Sequence, residues 1–158
     1  YLAGYLLTLE LLPLLSAGAP ARIVHVASIA QQPIDFDDVM LERGYSDGRA
    51  YAQSKLAQIV FSMDLADELE GMGVTTNAVH PATLMDTDMV LERSMVVRSS
   101  VEDGADSLMN LIDGEDVGSG GYFDQTRPAR AHAQAYDREA QRRLRELSER
   151  LTGVRRGG

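Results

Sequence analysis

The sequence predicts an α/β fold, a doubly wound parallel sheet of which the chain carries the carboxyl-terminal half. Three observations predict it. Apolar segments of helical period alternate with short β-branched runs, in the order helix, strand, helix, strand, helix, strand, helix, and such alternation implies a parallel sheet with right-handed crossovers. The chain opens at Tyr1 inside an apolar periodic segment, so the first helix is expected to begin before the chain does. With 158 residues, 44% of them hydrophobic, the chain has enough material for one domain, 1–158, with a real core.

Leu2, Tyr5, Leu6, Leu9, Leu12 and Leu15 recur at helical spacing and predict a helix over 1–16, ended by Ser16-Ala17-Gly18-Ala19-Pro20. The segment lacks a basic leader and contains Glu10, so it does not read as a signal peptide, and it is too short to span a bilayer. The run 22–27 predicts a buried parallel strand. Residues 28–48 predict a long irregular connection with Pro33, Gly44 and Gly48, and connections of that length are usually functional. Ala52, Leu56, Ile59, Val60, Met63, Ala66 and Leu69 predict a helix over 49–70, closed by Gly71-Met72-Gly73. A second strand is expected at 74–79, ending at His80-Pro81, then a polar loop from Ala82 to Asp88. Ser100, with Glu102 and Asp103 in the first turn, opens a helix near 101–112. A last short strand is expected at 120–123. The tail 134–151 reads as a charged helix ending at Gly153, with Arg138, Arg142 and Glu146 on a solvated face.

The net charge of −9 argues against a nucleic-acid or anionic-membrane surface as the main partner. There is no cysteine, which excludes disulfide scaffolds, cysteine nucleophiles and thiolate metal sites. The compartment therefore defaults to the cytoplasm. His25 and His80 are too far apart in sequence to imply a metal site. His25 is expected to be a strand residue with a hydrogen-bonded ring.

The chemistry concentrates in Tyr51-Ala52-Gln53-Ser54-Lys55. Tyr51 and Lys55 lie four apart, so both project from one helix face. A free tyrosine titrates at about 10, too high for proton transfer at neutral pH, and a cation one turn away favours the phenolate. A general acid/base needs its pKa near the working pH. Tyr-x-x-x-Lys alone is a weak signal, equally at home on an ordinary surface helix. Here, however, Lys55 is the only lysine in the chain; every other basic side chain except the histidines is arginine. Arginine cannot replace a compact ammonium that must donate to a ribose hydroxyl. Ser28 stands just past the first strand, where ligands of parallel sheets bind, although turn serines are common there too. His80-Pro81-Ala82-Thr83-Leu84-Met85-Asp86-Thr87 also lies at a strand's carboxyl end. Its backbone groups and Thr87 could contact a planar amide such as nicotinamide, or form an ordinary connecting loop.

Taken together, these segments resemble the short-chain dehydrogenase/reductase family. "RIVHVASIA" at 22–30 looks like its catalytic-serine strand, with Ser28 in the serine position and Ala27 where a second serine is common. "YAQSK" is similar to its Tyr-x-x-x-Lys signature. "NAVHPATLMDT" at 77–87 resembles its Pro-Gly loop over nicotinamide, with Ala82 in place of glycine. "GYFD" at 121–124 and the tail after it look like the retinol-dehydrogenase-like branch. The resemblance implies a Rossmann-type fold and an oxidoreductase that moves a hydride between NAD or NADP, with NADP slightly favoured, and an alcohol or carbonyl carbon. It implies that Tyr51 exchanges the proton, Lys55 holds the nicotinamide ribose, and Ser28 orients the carbonyl. Pro81, Ala82, Leu84 and Thr87 would fix the carboxamide, and loops 28–48 and 88–99 would shape the substrate pocket. The family's glycine-rich pyrophosphate turn is not among these residues, so the cofactor-binding amino-terminal half is expected to be absent. The helices 1–16 and 49–70 have apolar arcs wider than one sheet face needs, and the family often pairs them, so a homodimer or homotetramer is expected. The competing readings are a non-catalytic binding or structural module, a serine hydrolase built on Ser28, and a sugar-nucleotide epimerase relative. The hydrolase reading lacks the Gly-x-Ser-x-Gly elbow.

Overall fold

The computed structural model of the chain describes residues 1–88, 90 and 95–155. Residues 89 and 91–94, part of the 88–99 loop expected at the substrate pocket, lie outside them. Helix α1 runs Leu2–Ala17 and continues through Pro13. It turns Tyr5 and Thr8 inward and leaves Leu7, Leu11 and Leu14 exposed. Strand β1, Ala21–Val26, follows. Helix α2, Asp47–Glu68, starts two residues earlier than its apolar pattern suggests, because the Ser46 hydroxyl caps it by accepting the Arg49 amide. Gly73, at φ +71°, makes the turn into strand β2, Val74–His80, in a conformation that suits glycine.

Helix α3 is Val101–Asp113. Ser100 and Asp103 form a full capping box there, each side chain accepting the other's amide at 3.0 and 2.8 Å. Strand β3, Tyr122–Asp124, turns directly into β4, Arg127–Ala129. A short 3₁₀ turn over Ala133–Tyr136 leads to helix α4, Arg138–Thr152, whose N-cap is Asp137.

The sheet order is β1-β2-β3-β4. The first three strands are parallel, with Ala21 opposite Val74, Val26 opposite Val79, and Ala78 opposite Tyr122. The fourth is antiparallel to β3, with Pro128 opposite Phe123. The expected parallel sheet is thus present with one antiparallel edge strand. That strand was not foreseen, since Arg127-Pro128-Ala129 is short, carries no β-branched residue and contains a proline, which only an edge strand tolerates.

Both faces of the sheet are covered. On one face, Leu56, Ile59 and Val60 of α2 are fully buried against Ala27, Ala78 and Tyr122, with Ala135 and Leu144 closing the far side. Tyr5, Phe61, Leu65 and Val74 continue this layer toward α1. On the other face, Leu111 of α3 packs on Val79 and Phe123. Helix α4 is not simply a solvated helix. Ala140, Gln141, Leu144 and Ser148 are buried, and Arg145 bonds through two nitrogens to the buried Asp64 carboxylate of α2 and also reaches Glu68 at 3.3 Å. Arg138 pairs with Asp67, and Arg142 with Glu139 and Glu146. The wide apolar arc of α2 is therefore filled within the chain by α4 and the 3₁₀ turn.

Candidate active site

Parallel pairing brings the carboxyl ends of β1, β2 and β3 to one edge of the sheet, and the expected functional residues gather there. Ser28 lies two residues beyond β1 and is buried. Its Oγ accepts the Ala30 amide at 3.1 Å, which leaves the hydroxyl proton free to donate to a ligand oxygen. Its backbone carbonyl is held from two sides, by the Tyr122 hydroxyl and by Gln31 Nε2, each at 3.1 Å.

Tyr51 and Lys55 stand on the first turns of α2. The Lys55 ammonium donates to the Val26 carbonyl at 2.8 Å and lies 5.6 Å from the centre of the Tyr51 ring. One bond therefore ties the lysine of α2 to the end of β1, two residues before Ser28. The ammonium has three protons, so two remain for a ligand. Burial pushes the Lys55 pKa below its ordinary value. The Tyr51 side chain is 47% exposed, open to an incoming molecule.

The loop after β2 supplies a third wall. Pro81 and Ala82 are buried. The Ser107 hydroxyl of α3 lies 2.7 Å from the Pro81 carbonyl and 2.8 Å from that of Asp103, sharing one proton between them. Leu84 adopts a left-handed φ of 48°, a strained choice for a bulky side chain. Its carbonyl accepts the Arg98 amide, and the Asp86 amide donates to Ser99, so the loop is strapped to residues 98–99. The Thr87 hydroxyl makes only a long 3.4 Å bond to the Met85 carbonyl and remains able to serve a ligand.

The expected hydrogen-bonded ring of His25 is corrected. Its Nε2 is buried with no partner, and the ring stands edge-on to Phe61 at 5.3 Å. Burial pushes its pKa down to about 4. His80 is buried too, bonded to the Thr83 hydroxyl at 2.9 Å, and burial lowers its pKa against the opposing pull of Asp124. Among the described residues, no three histidine, aspartate or glutamate side chains converge to hold a metal ion. Sequence reasoning missed Gln31 and Tyr122. Gln31 sits in an irregular loop with no periodicity to mark it, whereas Tyr122 lies in the noted "GYFD" stretch, whose tyrosine could have been tried as a hydrogen-bond donor.

The model of the family described as short chain dehydrogenase matches residues 2–95, more than half of the chain. The chain belongs to the short chain dehydrogenase family. Retinol dehydrogenase 12 of Homo sapiens is 34% identical over 98% of this chain and 53% of its own length. Retinol dehydrogenase 13 of Homo sapiens is 36% identical over 98% of this chain and 52% of its own. A crystal structure of an uncharacterized protein from Mycobacterium Paratuberculosis superposes with a TM-score of 0.68 at 26% identity, over 87% of this chain and 52% of that one. The chain thus spans about half the length of the curated relatives it matches.

A nicotinamide cofactor is the group the family implies, and the donor set fits its nicotinamide end. Lys55 offers two ammonium protons at the carboxyl end of β1, and Thr87 a hydroxyl on the loop after β2. The pyrophosphate end has no seat among the described residues. Pyrophosphates rest where a glycine turn leads from strand into helix. The glycine-rich stretch here, 114–121, runs the other way, from α3 into β3.

Proposed function

We propose that the protein of which this chain forms part interconverts an alcohol and its carbonyl compound with NAD or NADP. When bound, the cofactor supplies or accepts the hydride. Tyr51 exchanges a proton with the substrate oxygen, Lys55 holds the nicotinamide ribose, and Ser28 donates to the substrate oxygen and orients it. Pro81, Ala82, Leu84 and Thr87 line the carboxamide side. The observation that carries the reading is the bond from Lys55 to the Val26 carbonyl, because it brings the Tyr51–Lys55 face of α2 to the end of the strand that presents Ser28. The names of the relatives favour an apolar alcohol as substrate, and the exposed Ile29, Met40 and Tyr45 on the connection after Ser28 suit one. The pyrophosphate turn is assigned to the part of the relatives that this chain does not span.

The test is Tyr51→Phe in a protein of the relatives' full length. Loss of a general acid/base costs about 100- to 10,000-fold in turnover. That loss is expected with cofactor affinity nearly unchanged; near-normal turnover would overturn the assignment. Turnover with NADP compared with NAD tests the preference for NADP. The proposal also includes a homodimer or homotetramer. Since α2 is covered within the chain, pairing rests on the exposed Leu7, Leu11 and Leu14 of α1. A monomer by light scattering at micromolar concentration would remove it.

A further inference from the structure

We propose that Tyr122 is a positioning residue for the reaction, acting through Ser28. This inference rests on the reading of Ser28 as the serine that faces substrate.

Ser28 belongs to neither β1 nor α2. It opens a connection of some twenty residues, the kind of segment least able to fix a side chain by itself. Yet a hydroxyl that must meet a substrate oxygen needs a defined position, since small misplacements cost rate steeply. The structure supplies that definition through the backbone. Tyr122 is the first residue of β3, opposite Ala78 in the centre of the sheet, and its side chain is buried in the main core. From that fixed base its hydroxyl donates to the Ser28 carbonyl at 3.1 Å. Gln31 Nε2 donates to the same carbonyl, and Gln31 is itself held, its Oε1 accepting the His132 amide at 2.8 Å. Ser28 Oγ accepts the Ala30 amide. With the carbonyl held from two sides and one Oγ lone pair engaged, the hydroxyl proton of Ser28 is left to turn toward a ligand. Burial also pushes the Tyr122 pKa up to about 12, so the phenol stays a donor at any working pH. In this proposal Tyr122 acts on neither substrate nor cofactor directly. Its role is to lock the carbonyl of the residue that does.

The experiment is a double-mutant cycle in the full-length protein, with Tyr122→Phe, Ser28→Ala and the pair. Tyr122→Phe keeps the ring and its packing and removes only the hydroxyl. Turnover is expected to fall about fivefold to thirtyfold, in keeping with loss of one buried hydrogen bond. Cofactor affinity should stay close to that of the parent, and the thermal midpoint should fall by only a few degrees. The deciding prediction is non-additivity: in the Ser28→Ala background, Tyr122→Phe should cost little more, because the group it positions is gone. Amide exchange at Ala30, whose N–H bonds to Ser28 Oγ, should quicken in Tyr122→Phe, an outcome read without turnover. Full turnover in Tyr122→Phe, or an equal loss with and without the Ser28 hydroxyl, would overturn the proposal while leaving the proposed function standing. Full turnover in Ser28→Ala would overturn both this proposal and the role of Ser28 on which it rests, while the turnover itself would uphold the proposed reaction.

Discussion

His25 points from β1 into the layer beneath α2, where its ring meets Phe61 and its Nε2 finds no acceptor or donor. Burial holds its folded-state pKa at about 4, below the ordinary 6.5. Between those values the unfolded chain binds a proton that the folded chain does not, so stability falls as pH falls. The slope is about 1.4 kcal/mol per pH unit for one such group. Urea unfolding at pH 7 and pH 5 should show this loss in the parent, and His25→Leu should reduce it, the lowered pKa of His80 accounting for some of the remainder. An unchanged pH dependence in the variant would show that His25 is not a source. Lys55→Arg probes a different property of a single residue. It keeps the charge but replaces a compact ammonium, bonded to one carbonyl, with a planar fork. Cofactor affinity of the full-length protein, measured by calorimetry, should weaken on the order of tenfold; equal affinity would reduce Lys55 to ordinary surface charge.

Helix α4 is held to α2 by Arg145 on Asp64 and Glu68, with Leu144 as its main apolar contact. Asp64 is buried, while the Arg145 side chain is over a third exposed, so part of the attraction is screened. Arg145→Met should remove two bonds from the buried carboxylate and cost about 1–3 kcal/mol by urea unfolding, less than loss of a wholly buried pair. A loss below a few tenths would mean that Leu144 and Ala140 hold the helix unaided. This clamp explains what was and was not readable. The helices α1, α2 and α3 announce themselves by apolar period or by the Ser100–Asp103 box, and β1 and β2 by β-branched runs. In α4 the buried stripe is Ala140, Gln141, Leu144 and Ser148, mostly small or polar, so its arginines dominate the pattern and hide the packed face. The site divides the same way. Tyr51, Lys55 and Ser28 are legible because their spacing and strand-end positions are local properties of the chain. The two donors on the Ser28 carbonyl are not, because one of them comes from 94 positions away.

At the scale of the molecule, among the described residues β1 pairs with β2 on one side only. Val26 is 43% exposed and Arg22 is exposed, whereas nearly all of β2 is buried. An open apolar edge is a template for association. A doubly wound sheet also binds its dinucleotide across the point where strand order reverses, with both halves contributing. The 158-residue chain by itself is therefore expected to bind NAD or NADP very weakly, to show no dehydrogenase turnover and to self-associate. Micromolar cofactor binding in a calorimeter would contradict that expectation.

The open side of β1 has one more consequence. It runs beside Ser28 and the Val26 carbonyl that anchors Lys55, so whatever strand adds there docks against the residues proposed for proton transfer. A break in the polypeptide at this boundary would convert an intramolecular docking into a bimolecular one. Catalysis in such a two-piece enzyme would obey mass action: silent when the complementary piece is dilute, rising as it is titrated in, and saturating at a plateau whose midpoint measures the strength of the seam.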